Sequence, residues 1–205
     1  MRRQSPSVCL NQCWATGAYL AKTTRKYYPF LEQTLITLSK KVCLLGEFAV
    51  GKTSLVRRFV YDLFDDRYIS TIGVRVSRKT VAVPIEEQLA ELTLMVWDLA
   101  GSEEFNRVSM SYLRGAAGAI LVYDLTRSNT FDQLYNYVLS LYKVNPHAKV
   151  VLAGNKLDLV DRRQMDTGKA EKLATELNAP LFFTSARQGE EVDNLFRHLG
   201  RLLVS

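Results

Sequence analysis

Residues 41–59 read Lys41-Val42-Cys43-Leu44-Leu45-Gly46-Glu47-Phe48-Ala49-Val50-Gly51-Lys52-Thr53-Ser54-Leu55-Val56-Arg57-Arg58-Phe59, and their order decides the fold. The short apolar run Lys41 to Gly46 predicts a strand of the buried type. The stretch TSLVRRFVYDLF that follows carries a helical pattern, so a helix is expected to begin at about Lys52. Between strand and helix, Gly46 to Thr53 match the pattern G-x-x-x-x-G-K-[ST]. A loop so placed turns backbone N–H groups inward around phosphate oxygens, and the helix amino end adds a positive dipole end. The pattern assigns Lys52 to the outer phosphates and the Thr53 hydroxyl to Mg²⁺. Glu47, Phe48, Ala49, Val50, Gly51 and Ser54 complete the expected cradle.

Downstream, VRVSRKTVAVPI and LTLMVWDLA are expected to pair as a hairpin across an EEQLAE connection. GAILVYDLT, TFDQLYNYVLSLYKV, KVVLAGNKLD, TGKAEKLATELN, APLFFTSA and EEVDNLFRHLGRLL then alternate strand and helix. Strands alternating with helices indicate a mostly parallel sheet covered on both faces. The expected fold is therefore a three-layer α/β/α P-loop domain. Its six-stranded sheet has one antiparallel strand at about 73–83, and about five helices flank it.

The chain has 205 residues, 47% hydrophobic and 23% charged, enough for one core and one domain. No run approaches 18 apolar residues, so no transmembrane span is expected. Cys9, Cys13 and Cys43 are too few and too clustered for a disulfide framework and read as inert thiols. The net charge of +6 suggests nucleic acid until it is divided. Residues 1–31 hold five basic residues and no acid, whereas the remainder holds 22 basic and 21 acidic residues. The basicity thus belongs to an extension, residues 1–37, expected to be solvated and partly disordered, ahead of a domain at 38–205. Nucleic-acid binding through that extension is a minor alternative, which predicts strong salt dependence.

Two further elements narrow the ligand. Asp98 closes the apolar run LTLMVW and suits a metal-holding strand aspartate. Asn155-Lys156-Leu157-Asp158 follows VVLAG, at the carboxyl end of a parallel strand, where open α/β sheets bind ligands. The Asp158 carboxylate can accept from guanine N1–H and the exocyclic 2-amino group. Adenine would leave that charged acceptor unpaired, at a cost on the order of 2–3 kcal/mol. Lys156 would lay its stem over the base. A P-loop kinase or ATPase remains the reading in which Asp158 is a bystander.

From about residue 38 onward the sequence resembles a small GTPase of the Ras superfamily, most closely the Rab branch. YISTIGV, WDLAGSE, SYLRGAAGAILVYDLT, NKLD and TSAR stand in that family's order. The resemblance implies GTP/GDP and Mg²⁺ as ligands. It matches Thr71 to the threonine whose hydroxyl meets Mg²⁺, Phe64 to the aromatic beside the base, and Tyr68 to a tyrosine near the phosphates. It matches Asp98 to the metal aspartate and Gly101 to the glycine whose N–H senses the γ-phosphate. Ser185, Ala186 and Arg187 resemble the motif whose alanine N–H meets the guanine oxygen.

Two departures fall on the chemistry. Ser102 stands where the family carries a water-orienting glutamine, and Phe48 where many members have Gly or Ser in the phosphate loop. The expectation is GTP binding with slow hydrolysis, with Lys52, Thr71, Gly101 and Ser102 around the reacting phosphate; a GTP-locked binding scaffold is the alternative. An exchange factor, an activating protein and effectors are implied at the switch loops, including Trp97. Val76 and Leu113 occupy the other two places of the family's aromatic cluster, so an apolar surface of different shape is expected. No cysteine follows Cys43, so no C-terminal prenyl anchor is expected on this chain. A lipid-free Rab-like domain of this kind fits a prokaryotic or otherwise cytosolic member. We expect a cytoplasmic monomer whose extension is the one candidate for peripheral membrane contact.

Overall fold

The computed structural model describes residues 36–65, 67, 70–86, 88–101, 107–161 and 167–205. Ile36–Ser205 form one compact unit. Positions 1–35 of the expected extension, together with Tyr68 and Ser102, lie outside the described residues. In chain order the elements are β1 (Ile36–Leu45), α1 (Lys52–Tyr61), β2 (Val74–Ile85), β3 (Gln88–Leu99), α2 (Arg107–Leu113) and β4 (Gly118–Asp124). They continue with α3 (Asn129–Asp132), α4 (Leu134–Val144), β5 (Lys149–Asn155), a 3₁₀ turn at Leu157–Leu159, α5 (Gly168–Glu176), β6 (Leu181–Thr184) and α6 (Val192–Leu202).

The sheet runs β2-β3-β1-β4-β5-β6. Only β2 and β3 pair antiparallel; every other neighbouring pair is parallel. This is the six-stranded mixed sheet expected from the alternation of periodicities. Because β1 continues to β3 on one side and has β4 on the other, a crevice forms at its carboxyl end.

Two boundaries differ from the sequence reading. β1 begins at Ile36 rather than Lys41, because its polar first half still pairs with β3, from Ile36 opposite Ala90 to Leu44 opposite Asp98. The expected EEQLAE connection is mostly strand. Ile85 pairs with Gln88, and Glu86 adopts φ 52° to make the tight reversal. Glu91 looks like loop chemistry, yet it lies on the exposed face while Ala90 and Leu92 are buried. Alternation with one wet face is what an outer part of a sheet requires.

The central strands show why the fold holds. Val42 and Leu44 of β1 join the core that contains residues of α1 and α6, and Cys43 and Leu45 join the core that contains residues of α4 and α5. Successive side chains of a strand point to opposite faces, so these four residues anchor both layers at once. β4 is buried along its whole length. On the first face Phe196 is fully buried and its ring stacks on Phe59 with centroids 4.0 Å apart and planes 3° from parallel. Phe196→Ala is expected to lower the unfolding free energy by about 3–5 kcal/mol, the usual cost of truncating a buried aromatic, measured by urea denaturation.

Candidate functional site

A cavity of about 310 Å³ opens at the carboxyl ends of the strands. Phe48, Ala49, Gly51, Lys52, Thr53 and Ser54 line it from the loop after β1 and the start of α1. Phe64 and Thr71 contribute from the connection to β2, and Gly101 from the residues after β3. Asn155, Lys156, Asp158, Ala186 and Arg187 close the other end. Four other predicted residues do not line it. Val50 is buried beneath the loop, Asp98 lies behind Thr53, and Ser185 sits behind Asp158. Glu47 receives a hydrogen bond from the Tyr137 hydroxyl at 3.2 Å.

The loop's shape demands unusual backbone. Gly51 sits at φ 98°, and a Cβ there would lie 2.2 Å from the Asn155 side-chain nitrogen, so no larger residue fits. Ala49 also takes the left-handed region, at φ 60°, which costs a non-glycine residue roughly 1–2 kcal/mol. Lys52 is buried and donates from Nζ to the carbonyls of Gly46 at 2.7 Å and Glu47 at 2.8 Å. Burial lowers its pKa to about 8, against the opposing pull of Asp98 and Glu47. It therefore remains mostly cationic at neutral pH. Gly101 presses against it: a Cβ there would stand 2.6 Å from Nζ and from the Glu47 backbone.

Beside Lys52 three side chains converge. The Thr53 hydroxyl donates to Asp98 Oδ2 at 2.5 Å and lies 2.7 Å from the Thr71 hydroxyl. Burial raises the Asp98 pKa, partly offset by the Thr53 hydrogen bond and the charges of Lys52 and Arg75. Asp98 Oδ1 is buried without a hydrogen-bond partner among the described residues. An orphaned carboxylate oxygen beside two hydroxyls is a set of hard oxygen donors, and it fits a Mg²⁺ ion with its waters. Among the described residues no cluster of three His, Cys, Asp or Glu side chains offers a rival metal site.

At the opposite end, Asn155 ties the end of β5 to the loop after β1 and to the segment at the end of β6. Its Nδ2 donates to Val50 O at 2.9 Å, and its Oδ1 accepts from the Thr184 hydroxyl at 3.2 Å and Ala186 N at 3.3 Å. Lys156 follows at φ 69°, the second left-handed non-glycine residue among those lining the cavity. The Ser185 hydroxyl donates to Asp158 Oδ1 at 2.6 Å and fixes that carboxylate beside the cavity. Arg58 of α1 donates to the carbonyls of Ala186 at 2.9 Å and Arg187 at 2.7 Å. Sequence reasoning missed Arg58, because nothing local marks a partner so far along the chain. It also missed Arg57, Asp65, Arg67, Leu99 and Leu159, which line the cavity. The positions of Asp65 beside Phe64 and Leu159 beside Asp158 were the available signals.

The expected partner surface is only partly realised. Trp97 is half-buried under the Lys41 ammonium, 3.7 Å from the ring centroid, and Val76 stands opposite it in register with 48% of its surface exposed. Leu113 is fully buried, so it contributes nothing to that surface. Among the described residues no helix is long and apolar enough to cross a membrane.

Comparison with known proteins agrees with this geometry. The sequence model of the Ras family matches residues 41–205. The chain is 40% identical over 173 residues to the GTP-binding protein ypt5 of Schizosaccharomyces pombe, covering 83% of this chain and 81% of that protein. It is 37% identical over 164 residues to the Ras-related protein SEC4 of Candida albicans, covering 80% and 76%. It is 40% identical over 163 residues to the Ras-related protein Rab-13 of Rattus norvegicus, covering 78% of each.

Asn155→Ala leaves the buried Val50 carbonyl without its donor and the Ala186 N–H without its acceptor. Each such orphan costs about 1–3 kcal/mol, so chemical denaturation should show a loss of at least about 2 kcal/mol.

Proposed function

The chain belongs to the Ras family, in its Rab-like branch, and from that premise we propose a slow guanine-nucleotide switch. It binds GTP and GDP with Mg²⁺ and hydrolyses GTP to GDP and phosphate at a low intrinsic rate. The observation that carries the reading is one cavity with a phosphate-type cradle at one end and the Asp158 carboxylate at the other.

In this reading Lys52 and the amides of Glu47, Phe48, Ala49, Val50, Gly51, Thr53 and Ser54 surround the phosphates. Thr53, Thr71 and Asp98 hold Mg²⁺, which supplies charge neutralisation at the outer phosphates. Asp158, oriented by Ser185, selects guanine over adenine, and Lys156 and Phe64 flank the base. Ala186 N–H addresses the guanine oxygen, and Arg187 borders the base. Tyr68 is assigned to the phosphates by its place in the family motif alone. Thr71 and the Gly101 N–H respond to the γ-phosphate, and their two segments form the surface that partners read. Hydrolysis proceeds by in-line attack of water on the γ-phosphorus, while Lys52 and the loop amides stabilise the charge that develops.

Ser102 is too short to replace a water-orienting glutamine. Phe48 borders the cavity with 48% of its surface exposed, which supports crowding of the γ-phosphate and of any activating arginine. The same observation favours a second reading, a scaffold held with GTP. The nucleotide released on denaturing freshly purified protein separates the two: mostly GDP supports the switch and mostly GTP the scaffold. An exchange factor, an activating protein and effectors are proposed at the switch segments, with Trp97 and Val76 on the effector side. We place the protein in the cytoplasm as a monomer.

Guanine nucleotide is expected to copurify, and ATP is not expected to displace it. Single-turnover hydrolysis at saturating Mg²⁺ is expected to be slower than in a glutamine-bearing relative. A misplacement of about 1 Å costs about 100-fold in rate. Ser102→Gln alone should therefore recover little, while Ser102→Gln with Phe48→Ser should exceed either single variant by roughly 10–100-fold.

A further inference from the structure

Asp124, the last residue of β4, is 1% exposed and has no role in the scheme above. Its Oδ2 pairs with Lys156 Nζ at 2.7 Å and accepts from Arg127 Nε at 3.0 Å. Its Oδ1 accepts from Thr126 N at 2.9 Å and the Thr126 hydroxyl at 2.7 Å. Burial pushes the Asp124 pKa upward, but the hydrogen bonds from Lys156, Thr126 and Arg127 outweigh it and hold it below the usual carboxylate range. The second arm of Arg127 reaches elsewhere: Nη2 donates to the carbonyl of Phe48 at 2.8 Å. Lys156, Asp124, Arg127 and Phe48 thus form one unbroken polar chain from the base end of the cavity to the phosphate loop.

The carbonyl that Arg127 holds belongs to the peptide plane shared by Phe48 and Ala49. In a trans peptide the C=O and the following N–H point in opposite directions. A Phe48 carbonyl drawn toward Arg127 therefore turns the Ala49 N–H the other way. Ala49 lines the cavity, and its φ of 60° is a conformation that a non-glycine residue keeps only when its surroundings impose it. Arg127 is itself held, because Asp124 fixes its Nε side and leaves Nη2 aimed at the loop.

We propose that Arg127 is a positioning residue that aims the Ala49 N–H into the phosphate cradle, with Asp124 as its anchor. This rests on the nucleotide-site reading above and names a residue of that site, Arg127, which none of its motifs contains. The arrangement uses what distinguishes arginine from lysine. A planar fork can hold a carboxylate with one nitrogen and a carbonyl with another, whereas a single ammonium is a point charge. Arg127→Lys consequently keeps a cation beside the buried Asp124 but gives up the hold on Phe48. Arg127→Met removes both.

The test measures dissociation of a fluorescent GDP from the full chain and competition by GMP, which lacks the outer phosphates. In both Arg127→Lys and Arg127→Met, GDP should leave about tenfold faster, with GMP affinity within about twofold of the unaltered protein. Arg127→Met should in addition unfold at lower temperature, while Arg127→Lys should not. Wild-type GDP release by Arg127→Lys would overturn the proposal and reduce Arg127 to neutralising a buried acid. An equal weakening of GDP and GMP would overturn it too, since a general loosening does not discriminate between phosphates. Failure of the unaltered chain to hold GDP would instead fall on the nucleotide-site reading itself.

Discussion

A loop that gives its N–H groups to an anion has to place its carbonyls elsewhere, and that constraint organises the site. In a helix or strand the two kinds of backbone group satisfy each other; here they cannot. The carbonyls of Gly46 and Glu47 accept from Lys52. That of Phe48 accepts from Arg127, that of Val50 from Asn155, and that of Gly51 from Leu55 N in the first turn of α1. Each of these donors comes from a different place in the chain or a different atom type. The loop's conformation is therefore set by the ends of β4, β5 and α1 rather than by its own composition.

Such an arrangement is costly, and the fold supplies the stability to support it. Asp98, Asp124 and Lys52 are buried charges, and Ala49 and Lys156 take left-handed backbone. A buried charge is tolerated when hydrogen bonds and counter-charges surround it. Asp124 meets that condition completely, with donors on both oxygens. Asp98 meets it in part: Thr53 is the one hydrogen-bond donor found for it among the described residues, Lys52 and Arg75 supply counter-charge, and Oδ1 is left without a donor. The difference separates a carboxylate that holds structure from one left available to a cation. Both sit at the ends of strands whose cores on the two faces of the sheet fix their positions.

The sequence was most legible where chemistry is local. Gly46 to Thr53 and Asn155 to Asp158 are read directly because the spacing along the chain is also the spacing in space. The parallel sheet was legible from the continuous apolar runs of β1, β4 and β5. The hairpin between β2 and β3 was recognised, but its ends were not, since Glu91 lies on the wet face of a strand whose other face buries Ala90 and Leu92. Leu113 was misread as a surface residue for the opposite reason: a family position fixes a residue's place in the chain but not its burial. Arg58 and Arg127 were illegible for a simpler reason. Their partners lie 128 and 79 residues away, and nothing in a charge on a helix or a turn announces which distant carbonyl it will reach.

The two segments that carry Thr71 and Gly101 to the cavity are joined by a backbone contact that neither motif predicts. Ala100 N donates to the carbonyl of Gly73 at 2.9 Å, continuing the ladder that runs from Val74 opposite Leu99 to Ile85 opposite Gln88. Gly73 lies two residues from Thr71, and Ala100 is adjacent to Gly101. A displacement of Gly101 that breaks this bond therefore frees the end of β2 beside Thr71, and a displacement of Thr71 loads the same bond from the other side. Reciprocity of this kind is what thermodynamic linkage requires of two segments answering to one ligand. Val76 and Trp97 face each other further along the same ladder, so the exposed apolar surface is continuous in the backbone with the residues beside the cavity. A partner that grips Val76 or Trp97 acts on a ladder whose end lies next to Thr71 and Gly101, without touching the cavity.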